Sequence, residues 1–146
     1  MKDDNFSDLP DWDDNLKDPD EEGEEWKPNP TRDACKEMYK QWSLVMTMLN
    51  GCLRDDTIKD EPDSFGAEYQ SMILGDAFLV AAKIRSSEAG GIYVIRMENA
   101  SIIRKNAQTV QSSILVFMAE GVVDKEYGKI MRTEMDVFKD LWSRNF

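Results

Sequence analysis

Histidine is absent from all 146 residues. That removes imidazole-based nucleophile relays and the common imidazole metal sites. It also removes the Glu-x-x-His pairs of ferritin-like di-iron bundles. Cysteine occurs only at Cys35 and Cys52. On one helix, that separation of 17 residues spans roughly 26 Å along the axis, too far for the two to bond to each other. Buried, reduced thiols are therefore expected, as in the cytosol. No run of about 18 apolar residues occurs, so no membrane span is expected. The start, "MKDDNFSDLP", lacks the apolar core of a secretory signal. These features together predict a cytoplasmic protein.

What the chain has is acid. It carries 29 acidic and 18 basic residues, a net charge of −11. Residues 1–29 hold 12 of the acidic residues against three lysines, or −9, and the remainder carries only −2. An acidic surface repels phosphate backbones and anionic membranes, so neither nucleic acid nor membrane is expected as a partner. The composition of residues 1–29 argues against independent folding. Phe6, Leu9, Trp12, Leu16 and Trp26 nevertheless punctuate it, and such anchors dock on something. The choice lies between a strap over the protein's own surface, which is favoured, and a docking peptide for another protein.

From Pro30 onward the pattern is helical. Asn29 and Pro30 suit an N-cap and a first helical residue. Cys35, Met38, Trp42, Val45, Leu49 and Cys52 then step by 3, 4, 3, 4 and 3, the seam of a bundle helix. Arg54 to Pro62 reads as a loop. A second helix starts near Asp63 or Ser64 and runs to about Arg85 or Ala89. At about 100° per residue, Tyr69, Ile73, Asp76 and Val80 share one face, while Leu74 and Phe78 turn to the other. A helix apolar on two sides calls for a second buried surface, which a homodimer would supply. "SSEAGG", residues 86–91, reads as the next turn, with one continuous bent helix as the rival. A third helix spans about Ile92–Ala119 and ends at Gly121. A fourth starts from Asp124 as N-cap. "GGIYVIRM" has strand propensity but runs into a long helical period. The fold class expected is all-α: an up-and-down four-helix bundle over residues 30–146 with an extended acidic N-terminal arm, residues 1–29.

The stretch "YVIRMENASIIRKNA", residues 93–107, threads polar types through this third helix. Glu98 and Lys105 fall on its far side and Arg104 on its flank. Arg96, Asn99 and Asn106 stay on the apolar face. Buried Asn on a bundle seam fixes register at a cost in stability, and an unpartnered buried amide costs about 1–3 kcal/mol. Asp76 raises the same demand more sharply. Counting levels along antiparallel helices places Asp76 beside Trp42 and between Asn99 and Asn106. One mid-bundle layer is thus expected to hold Asp76, Asn99, Asn106 and the indole N–H of Trp42 or Trp142, with Arg96 in reach of Asp76. The favoured role for this layer is to select one arrangement of helices. The alternative is a polar pocket for a small ligand, with Asp76 as an acid or base.

No nucleophile is paired with a base, so no catalytic residue is assigned. Glu37, Glu68, Asp76, Glu134 and Asp136 would have to bind a metal through oxygen alone, and no EF-hand spacing occurs. No metal or cofactor is expected. The sequence therefore points to a non-enzymatic, homodimeric interaction module, with Leu74 and Phe78 at the interface. A small-molecule binder or enzyme centred on Asp76 is the alternative.

The run "YVIRMENASIIRKNAQTV" resembles a segment of small bacterial helical-bundle proteins of uncharacterised activity. The likeness covers mainly residues 76–142 and excludes the arm. It implies an all-helical bacterial protein, and it carries over no catalytic residue.

Overall fold

The computed structural model describes residues 9–12, 30–53, 65–89 and 93–146, the side chains of 30–31, 65–67, 88–89 and 93–96 excepted. Four helices follow one another: α1 (Pro30–Leu53), α2 (Phe65–Ala89), α3 (Tyr93–Ala119) and α4 (Lys125–Asn145). No strand occurs among the described residues, and "GGIYVIRM" enters a helix from Tyr93 onward. Each helix packs on its neighbours in sequence, and α4 closes the ring against α1. The arrangement is antiparallel throughout. The start of α2 meets the end of α3 where the Tyr69 and Phe117 rings approach to 5.4 Å. The end of α1 meets the start of α4 where the Tyr127 hydroxyl donates to the Met48 carbonyl. This is the up-and-down four-helix bundle.

The α1 seam has a simple physical cause. Cys35, Met38, Trp42, Val45 and Leu49 face inward and are fully buried, joined by Tyr39, Met46 and Leu53. Burying such side chains contributes about 1.5–3 kcal/mol each relative to exposure. Cys52 is half-buried, and both cysteines are free thiols. Burial pushes the Cys52 thiol up to about 11, opposed by a hydrogen bond to Tyr127. It stays protonated at neutral pH and is a packing group, not a nucleophile.

Local chemistry sets the α3–α4 turn. Gly121 has φ 75°, a left-handed conformation that costs glycine little. The Val122 N–H donates to the Phe117 carbonyl and the Gly121 N–H to that of Met118, which satisfies two carbonyls at the helix end in a Schellman motif. Asp124 then caps α4, its Oδ2 accepting from the Glu126 and Tyr127 N–H groups at 3.1 and 3.2 Å. Within "SSEAGG", α2 continues to Ala89, the later of its two expected ends. The Ser86 and Ser87 hydroxyls donate back to the carbonyls of Ala82 and Lys83, so both serines are accommodated within the helix. Gly90 and Gly91 lie outside the described residues, as does the loop expected over 54–62.

α4 reaches the bundle through a close approach at Gly128. A Cβ there would lie 2.5 Å from Met118 Sδ and 2.6 Å from its Cγ. At Gly51 a Cβ would meet only the Tyr127 hydroxyl, at 3.9 Å. Alanine gains about 0.5–1 kcal/mol over glycine inside a helix, so Gly51→Ala should raise the thermal midpoint. Gly128→Ala should gain less, because the Met118 thioether has to swing aside to admit the methyl. Parallel thermal melts check this, and a Gly128→Ala midpoint equal to that of Gly51→Ala would refute the close approach.

Candidate functional site

The residues expected in a mid-bundle polar layer are distributed differently. Asn99 is buried, at 4% exposure, and its Nδ2 has no hydrogen-bond partner among the described residues. Asp76 and Asn106 are half-buried rather than buried. The indoles do not serve this layer. Trp42 Nε1 donates to the Ala77 carbonyl of α2 at 2.8 Å, and Trp142 Nε1 to the Ala100 carbonyl of α3 at 3.0 Å. Each indole thus ties its own helix to a neighbour's backbone. Asp76 sits at the margin because Ala77 and Ala81 belong to the core and turn the inward face of α2 away from it. The side chain of Arg96 lies outside the described residues.

Two of the arm anchors are described, and both rest on the bundle. Leu9 and Trp12 pack against the core. The Trp12 and Tyr39 rings approach to 5.5 Å, and the Tyr39 hydroxyl donates to the Pro10 carbonyl. On the other side, the Arg85 guanidinium lies 5.9 Å from the centre of the Tyr39 ring. Burial raises the Tyr39 hydroxyl above its usual range, Arg85 opposes that, and Asp11 adds to it. Tyr39 therefore stays a neutral donor with its one O–H directed at the strap, while Arg85 hydrogen-bonds to its oxygen. Phe6, Leu16 and Trp26 lie outside the described residues.

Of the two expected interface residues, Phe78 lies on the outer face of α2 with other apolar residues beside it. Phe78 is 43% exposed, Met72 53% and Leu79 38%. Leu74 is half-buried and packs against the core. Between Ser71 and Ser86, the exposed positions of α2 are Ser71, Met72, Gly75, Phe78, Leu79 and Ser86, and none is charged. Gly75 sits in their midst, and a Cβ there would meet nothing within 4 Å.

A cleft opens between α3 and α4, with a volume of about 230 Å³. Its floor is apolar: Ala107, Met135, Phe138 and Trp142. Arg104 and Lys139 stand on its walls with Gln108, Gln111 and Ser143. The Arg104 guanidinium lies 5.8 Å from the centre of the Trp142 ring, a cation–π placement. The Gln111 amide is engaged at 3.0 Å by Asp136. Sequence reasoning left Arg104 as a flank residue and did not single out Lys139. The available signal was Lys139 lying between Phe138 and Trp142, opposite the Arg104 flank of the antiparallel neighbour.

Among the described residues, no group of three or more Cys, Asp or Glu is placed to hold a metal ion. No described helix is long and apolar enough to cross a membrane. No family model, curated protein sequence or solved structure matches the chain.

Proposed function

We propose that the chain is a non-enzymatic interaction module that pairs with a second copy of itself through the outer face of α2. The observation that carries this is the set of exposed positions from Ser71 to Ser86, none of them charged, with Met72, Phe78 and Leu79 among them. A helix that packs its inner face and still presents an apolar outer one has a second surface to bury. The face is self-complementary, which favours a second copy as the occupant. A twofold at the level of residues 76 and 77 sets the open space over Gly75 against the partner's Phe78, as an isologous contact requires. The two free thiols suit a reducing cytosol, and the acid of the arm disfavours polyanionic partners.

The alternative, a ligand pocket or acid–base site at Asp76, has less support. Both indoles donate to backbone carbonyls, so the donors expected around Asp76 are committed elsewhere. A protein partner captured by the arm is also less favoured, since Leu9 and Trp12 rest on the chain's own core.

Size-exclusion chromatography with light scattering tests the pairing. The expected mass is twice 16.8 kDa, and Phe78→Glu should elute as monomer with its helical circular dichroism intact. Leu74→Glu should perturb folding as well as pairing, because Leu74 is partly in the core. A Phe78→Glu protein that remains dimeric would place the interface elsewhere.

A further inference from the structure

We infer that the α3–α4 cleft binds a small apolar carboxylate, a compact hydrocarbon body bearing one anionic group. This goes beyond the pairing proposed for α2 and is independent of it, since α4 lies diagonally across the bundle from that helix. Four features of the cleft lead to this chemistry.

The volume of about 230 Å³ is below the roughly 300–1,000 Å³ of pockets for drug-sized ligands, which sets a small ligand. The floor of Met135, Phe138, Trp142 and Ala107 offers an apolar bed without a buried polar atom that a hydrocarbon would strand. The Trp142 N–H, the one strong donor on that floor, is already satisfied by the Ala100 carbonyl. The indole is thus a fixed plate rather than a recognition group. The Phe146 ring approaches it, tilted, at 6.1 Å.

The charge on the walls is of one sign. Arg104 and Lys139 both line the cleft, and no carboxylate does. Asp136 borders the lining through Gln111, from whose amide it accepts. Residues 30–146 are close to neutral at −2, so two cations and no carboxylate around the cleft make it locally positive. Arg104 is also held over Trp142. Its planar donor fork is thereby oriented before a ligand arrives, and a fork matches a carboxylate bidentately. The Gln108 amide on the same wall can donate to the remaining lone pairs.

Octanoate and 1-octanol are the matched probes, titrated into the full-length protein by isothermal calorimetry and thermal shift. Octanoate should bind saturably and raise the midpoint, and the neutral alcohol should bind about tenfold or more weaker for lack of the charged hydrogen bonds. The Arg104→Gln/Lys139→Gln protein should lose that preference and bind the two probes alike. Ala107→Phe, which fills the floor, should abolish both. The inference is overturned if octanoate shows no saturable binding, if the double variant keeps the preference for octanoate, or if Ala107→Phe binds it as the parent does. Phe78→Glu should bind octanoate normally, so failure of the pairing at α2 and failure of this site are read separately.

Discussion

Replacing Trp42 with alanine should lower the unfolding free energy by about 3–5 kcal/mol, the range for deleting a fully buried large aromatic. Trp42 is fully buried and joins three helices. It belongs to α1, donates to the Ala77 carbonyl of α2, and meets the Phe138 ring of α4 at 4.8 Å. Truncation removes the ring contact and opens a cavity among rigid neighbours, which protein interiors refill poorly. Trp42→Phe separates the contributions. It keeps most of the apolar bulk and loses the indole hydrogen bond, for a cost of about 1–2 kcal/mol. Urea unfolding followed by far-ultraviolet circular dichroism gives both values. A Trp42→Ala loss below that of Trp42→Phe would contradict the placement of the indole at the junction.

The second large effect has the opposite sign. Asn99→Leu should stabilise the bundle by about 1–3 kcal/mol, because the buried Nδ2 lacks a partner among the described residues and such a group carries its desolvation cost unrelieved. Leucine has the same number and branching of side-chain heavy atoms and suits an apolar, helical position. If Asn99 sets the arrangement of helices, the gain comes with lost uniqueness, as when the polar residue of a bundle seam is removed. The amide cross-peaks of Asn99→Leu should then broaden or multiply while its midpoint rises. A drop of more than about 1 kcal/mol would show that the amide is satisfied in solution and that the position favours it.

The all-helical class and the α1 seam were legible because large apolar residues repeat at helical spacing from Cys35 to Leu49. The cap at Asp124 and the stop at Gly121 were legible because each answers a specific backbone need. The orientation of α2 was harder to read. Its inward face includes Ala77 and Ala81, small residues whose burial is dictated by the large side chain opposite, here Trp42. Weighting by bulk pulled the expected face toward Tyr69 and Asp76 and made a half-buried carboxylate look central. The indole partners were illegible for a related reason. A backbone carbonyl is present at every position, so sequence alone does not distinguish Ala77 and Ala100 as acceptors. Ser86 and Ser87 suggested a turn by type, but their hydroxyls bond back along α2. The cleft of Arg104 and Lys139 depends on how two helices are rotated against each other, which no single helical period contains.

Sedimentation equilibrium of the full-length chain and of Gly75→Arg tests the pairing most directly. Arginine at this exposed position meets open space in the single chain, so it should fold normally while blocking the partner's Phe78. The unmodified chain should sediment at twice 16.8 kDa and the variant at 16.8 kDa, with matching helical content. An unmodified chain at the single mass, or a Gly75→Arg protein at the double mass, would contradict pairing through the outer face of α2.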